Sequence, residues 1–155
     1  MTFRLSGLDP APFAPLFALD DAGLARRGMR RVVADSEPGY PCRVSLQDAS
    51  VGDELLLLPW RHVPGRGPYR ASGPIFVRRQ ARPRVPGPGE VPEYVRRRLI
   101  SLRAYDGAWT MVEATVCEGS DVAAELARMF DHAAVARIHL HNAGRGCYSC
   151  VAHRA

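Results

Sequence analysis

The stretch HLHNAGRGCYSC (139–150) gathers two histidines, an asparagine and two cysteines into twelve positions. Imidazoles and thiols are the usual ligands of transition metals. Set beside one another, they also make a base and a nucleophile. AGRG is a tight link between two short strands. With a two- or four-residue loop, Asn142 sits opposite Cys147, His141 opposite Tyr148, and His139 opposite Cys150. Side chains alternate along a strand. One face then carries His139, His141, Tyr148 and Cys150, and the other carries Ile138, Leu140, Asn142, Cys147, Ser149 and Val151. The aliphatic residues mark the second face as the core side. A three-residue loop shifts the register by one, pairs His139 with Val151 and separates Cys150 from both histidines.

Three chemistries compete for this hairpin. H-x-H on a strand puts both imidazoles on one side, and C-x-x-C is a familiar zinc ligand pair. A zinc set built here would be His139, His141 and Cys150, with Cys42 as a distant ligand. Cys147 and Cys150 point to opposite faces of a strand, however, so a metal is not favoured. Thioredoxin-like dithiol chemistry needs a helix N-terminus to activate the thiol, and only five residues follow Cys150. A single reactive thiol, Cys147 or Cys150, assisted by His139 or His141 as general base, needs only proximity. Cysteine also serves as a small buried hydrophobe, and a hairpin of small packed residues is the plain alternative.

A second stretch, PYRASGPIFVRR (68–79), sets Arg70 and Ser72 beside Gly73, ahead of a strand. A turn there can aim N–H groups, a hydroxyl and a guanidinium at one anion. YPCR (40–43) offers Arg43 beside a rigid proline. If these loops meet the histidine face, Arg43, Arg70, Ser72, His139, His141 and Asn142 form one pocket for a small anionic ligand. This is the leading functional expectation. The alternatives are an enzyme using the His/Cys hairpin and a zinc-stabilised domain.

The chain has 155 residues and a net charge of +5, and all 21 basic residues are arginine. Its length fits one domain, which buries roughly 68–70% of its unfolded surface. The arginines cluster in RRGMRR (26–31), RRQARPR (78–84) and RRR (96–98). No aromatics interleave with them, and no helix-turn-helix or zinc-finger spacing accompanies them, which argues against nucleic acid. No run is long enough to span a membrane. Pro10, Pro12 and Pro15 break the N-terminal apolar stretch, unlike a signal peptide. A cytoplasmic protein with reduced cysteines is expected.

These residues need elements to position them. Strands are expected at 3–8, MRRVVAD (29–35), DELLLLPW (53–60, ended by Pro59) and IFV (75–77). DDAGLARRG (20–28) predicts a short helix stopped by Gly28. Residues 65–74 read as a loop, and the Pro/Gly-rich segment 81–94 as a surface loop within the domain. Apolar alternation over 98–117, with Asp106-Gly107 as the turn, predicts a hairpin. Val122, Leu126, Met129 and Phe130 share one helical face, predicting a helix near 120–131 with Ser120 as cap. The sum is an α+β domain with a mainly antiparallel sheet.

YPCR, PYRASGPIFV and HLHNAGRGCYSC, in this order, resemble a bacterial domain-of-unknown-function family, number 1203. The resemblance runs along nearly the whole chain, from FRLSGL to VAHR. It implies a small single-domain bacterial protein. It implies no reaction, ligand or cofactor, and it transfers no site residue.

Overall fold

A computed structural model describes residues 2–155, and among these the apolar runs form ten strands in two sheets. The strands are β1 (Phe3–Ser6), β2 (Arg30–Val33), β3 (Pro41–Cys42), β4 (Gln47–Asp48), β5 (Glu54–Val63), β6 (Ala71–Arg78), β7 (Leu99–Tyr105), β8 (Met111–Glu118), β9 (Arg137–Asn142) and β10 (Tyr148–Arg154). Three helices, α1 (Asp21–Ala25), α2 (Glu93–Arg96) and α3 (Val122–Phe130), join a 3-10 turn at Ala14–Ala18. The fold is α+β, and all pairings are antiparallel except β3 with β6.

The first sheet runs β1-β10-β9-β7-β8 and the second β2-β5-β6-β3-β4. Period-two burial divides the first sheet cleanly. Ile100, Leu102 and Ala104 of β7, Ile138 and Leu140 of β9, and Cys150 and Ala152 of β10 pack on Val122, Leu126, Met129 and Phe130 of α3. That apolar face is the main core. The opposite face of β7 and β9 carries Ser101, Arg103, His139 and His141, paired Ser101 with His141 and Arg103 with His139. The second sheet buries Leu56, Leu58, Ile75 and Val77 against Phe13 and Leu24 from the N-terminal turns.

The two sheets are stitched at several points. Leu8 N donates to Arg43 O at 2.8 Å as the chain leaves β1 for the second sheet. At Gly7 a Cβ would lie 2.5 Å from the Val44 carbonyl, so only glycine permits this approach. Segment 81–92 straps the junction. Arg84 N donates to Val44 O at 3.3 Å and Gly89 N to Phe3 O at 2.8 Å. The expected loop 81–94 ends two residues early, because Glu93 opens α2 and Tyr94 is buried in the main core.

Four local expectations need correction. Pro59 does not end β5, which continues to Val63. Pro59 lies opposite Pro74. Neither ring has an N–H to give, so this pair occupies a non-hydrogen-bonded site of the ladder, where a proline is tolerated. Residues 71–74 are therefore strand rather than loop. Ser120 does not cap α3. Its Oγ meets Asp121 Oδ1 at 3.4 Å, and the helix starts without a side-chain cap. At the hairpin turn, Asp106 Oδ1 accepts from Ala108 N and Thr110 N, both at 2.9 Å, and Trp109 rather than Gly107 takes the positive φ. No helix among the described residues is long and apolar enough to cross a membrane.

The arginine clusters face acids of their own chain. Arg31 and Arg79 pair with Glu54, Arg78 with Asp53, Arg84 with Glu90, and Arg97 and Arg98 with the buried Asp48.

Candidate functional site

The register of the C-terminal hairpin decides which side chains share a face. Asn142 N donates to Cys147 O at 2.9 Å, so four residues form the loop. His141 pairs with Tyr148, as expected for that loop length, yet His139 pairs with Val151 and Leu140 with Cys150. Both registers considered for this hairpin are present, on either side of a bulge at Ser149. The bulge has a cause. The Tyr94 hydroxyl donates to the Ser149 carbonyl at 3.1 Å and meets its Oγ in a second, short hydrogen bond. Tyr148 consequently stays with the histidines, while Cys150 turns into the main core.

The histidine face meets a partner that the spacing had not suggested. His62 sits at a second bulge, between Arg61 and Val63 of β5, and projects from the other sheet. Ring nitrogens of His62, His139 and His141, one from each, lie within 4.8 Å of one another. The His62 ring is 4.8 Å from that of His141 and 5.9 Å from that of His139, edge-on to both. Tyr148 stacks on His62 at 5.8 Å, and Tyr105 and Trp109 pack against His139 at 5.1 and 5.4 Å. The cluster thus lies in an aromatic box between the sheets.

Burial dominates the electrostatics of the three rings. Burial first, then the neighbouring imidazoles, push His139 down to about 3. Burial takes His141 down to about 4, against the opposing pull of its bond to Gly146. Burial and the Arg103 charge lower His62 as well. All three are therefore neutral at pH 7, the form that ligates metals. His141 Nδ1 lies 3.0 Å from Gly146 O. A carbonyl can only accept, so Nδ1 carries the proton and Nε2 presents its lone pair. That Nε2 is buried without a partner, as are Nδ1 of His62 and Nδ1 of His139. A backbone carbonyl fixing the tautomer of a ligating histidine is the common outer-shell device. A zinc ion at about 2.0–2.1 Å from each nitrogen needs them roughly 3.4 Å apart, so the rings must draw in slightly.

The other predicted residues separate. Cys42 lies in the apolar cluster of the second sheet, its Sγ accepting from Arg78 N at 3.3 Å. Burial pushes the Cys150 thiol up to about 12. Neither cysteine joins the histidines. All four cysteines are free thiols. Arg70 is exposed at the start of β6. Ser72 lines a hollow with Met29 and Leu57 on a different surface from Arg43. Arg43, Asn142 and Cys147 do come together, along a cleft of about 600 Å³ that also takes in Tyr40, Arg98 and Arg145. The predicted pocket is thus broken up: His139 and His141 belong to the imidazole cluster, Arg43 and Asn142 to the cleft, and Arg70 and Ser72 to neither.

Fold and site together define a small α+β domain with a histidine-lined junction between two sheets. The chain belongs to the family described as protein of unknown function DUF1203, which matches residues 39–154. All three histidines, Arg43 and the C-terminal hairpin lie inside that span, whereas β1, α1 and β2 precede it. No curated protein and no solved structure matches the chain.

Proposed function

We propose that this domain holds one divalent transition-metal ion on His62, His139 and His141, with water or a small oxygen ligand at the remaining position. One observation carries the reading: three neutral imidazoles from two sheets each bring a ring nitrogen within 4.8 Å of the others, and each ring has a buried, unpartnered nitrogen. Leaving such an atom unsatisfied costs roughly 1–3 kcal/mol, and a metal ion would satisfy all three at once. Imidazole suits zinc, copper, iron and nickel. Zinc is the first choice because it tolerates three nitrogens and an open site. Structural zinc sites close with four protein ligands, whereas catalytic ones keep three and bind water, whose pKa falls to about 7. The reading is therefore of an enzyme that activates water towards a small substrate, with the histidines as ligands rather than general bases. Arg103, across from His139, has no carboxylate ion pair among the described residues, so its charge favours an anionic oxygen ligand on the metal. The same reading sets the protein in a reducing bacterial cytoplasm, in keeping with its free thiols.

Elemental analysis of the purified, untagged protein tests it. About one metal per chain is expected. His62→Ala and His139→Ala should each lose the metal, while Cys42→Ser and Cys150→Ser retain it. A protein that is metal-free as isolated, and takes up neither zinc nor cobalt on reconstitution, would sink the proposal.

A further inference from the structure

Arg43 is among the largest fully buried side chains of the described residues, at 1% exposure, and it lies behind the cleft lined by Tyr40, Asn142, Arg145 and Cys147. Its Nε donates to Tyr148 O at 2.7 Å, Nη1 to Pro41 O, and Nη2 to Cys147 Sγ at 3.1 Å. Three of the five N–H donors of a guanidinium are thereby used, two on backbone carbonyls and one on a sulfur, none on a carboxylate. Among the described residues neither Arg43 nor Arg145 forms an ion pair with a carboxylate. Arg98, at the same cleft, is already matched by Asp48. Burying a cation without a counter-charge is expensive, and an anion in the cleft would relieve it. One polar atom at the cleft lacks a partner: Asn142 Oδ1 is buried and accepts no hydrogen bond.

We infer that the cleft is a binding site, separate from the histidine centre, for a small molecule bearing a carboxylate or phosphate. Arg43 and Arg145 hold the anionic group. Asn142 Oδ1 accepts from a hydroxyl or ammonium on the same ligand. The volume of about 600 Å³ suits a metabolite-sized occupant. Phe76 and Leu99 supply apolar wall.

Cys147 is a built-in reporter. Its alkylation forms an S–C bond and expels iodide and the thiol proton, whether the reagent is anionic iodoacetate or neutral iodoacetamide. Cys117 is the internal comparison, because it is partly exposed and its neighbours are Glu118, Asp121 and Glu125. Rates at each thiol of the full-length protein are read by peptide mass spectrometry. The iodoacetate-to-iodoacetamide ratio at Cys147 should exceed that at Cys117 by about tenfold, the low end for anion focusing in a positive cleft. Inorganic phosphate and the Arg145→Gln variant should each lower the ratio at Cys147 and leave Cys117 unchanged. Arg145 is exposed on the turn, so that variant should fold even if Arg43→Gln does not. Equal ratios at the two thiols would overturn the inference. So would a Cys147 inert to both reagents, which would mean a cleft closed to small solutes. A high ratio insensitive to both phosphate and Arg145→Gln would reveal a local field without a site, and would also overturn it.

Discussion

Gly146 holds φ at +78°, and from that conformation its carbonyl reaches His141 Nδ1 at 3.0 Å. A side chain there is strained, so Gly146→Ala should move the carbonyl and free the ring. Metal affinity, measured by competition with a chromophoric chelator, should fall about 10–100-fold, as for other lost outer-shell partners. Acid should act on the same rings. His139 and His141 are held down to about 3 and about 4 in the folded state. In the metal-free protein the unfolded chain takes up protons on both below its ordinary value near 6.5, while the folded chain does not. Stability should therefore fall as pH drops from about 6.5 towards those values. A urea midpoint unchanged between about pH 7 and about pH 5 would contradict buried neutral imidazoles. His139 and His141 were legible because H-x-H on a strand needs only alternation. His62 was not, because a strand assumed to stop at Pro59 leaves it in a loop. The sequence did hold a partial signal: Trp60 and Val63 carry the apolar run of Leu55 to Leu58 on beyond the proline.

At the scale of elements, α2 has one turn and a large effect. Its Tyr94 pins the Ser149 bulge by hydrogen bonds to both carbonyl and hydroxyl. Tyr94→Phe keeps the ring in the core but leaves Ser149, fully buried, without that partner. The expected loss is about 1–3 kcal/mol by urea denaturation. A Ser149→Ala second substitution should recover part of it, since removing both polar groups is milder than removing one. The helix α3 and the hairpin of β7 and β8 were plain in the sequence, because their patterns are local and their apolar faces coincide with the core. The bulge was not, because its cause lies in a tyrosine 55 positions away in the chain. No spacing rule applied to HLHNAGRGCYSC alone could have chosen between the two registers.

At the scale of the whole molecule, the proposed ligands come from both sheets: His62 from β5, His139 and His141 from β9. A bound ion therefore clamps the two layers. At a thousandfold excess over Kd it should add about 4 kcal/mol, raising Tm on the order of ten degrees for a domain of this size. Scanning calorimetry before and after chelation measures the change, and His62→Ala should abolish it. Composition and pattern announced an α+β domain, yet two sheets rather than one were not foreseeable. Strand order depends on which edges meet, and that is settled by tertiary contacts such as the close approach at Gly7.

The hairpin loop ties these scales together. Within eight consecutive residues, Asn142 and Cys147 face the cleft, Gly146 orients His141, and the Tyr148 carbonyl receives Arg43. Neither pocket can be rearranged without displacing backbone that the other uses. Any coupling between two such binding equilibria is reciprocal. If an anion in the cleft tightens the metal by some factor, the metal must tighten the anion by the same factor. The loop would then make the domain a logical AND, most populated in its doubly loaded form when both solutes are present.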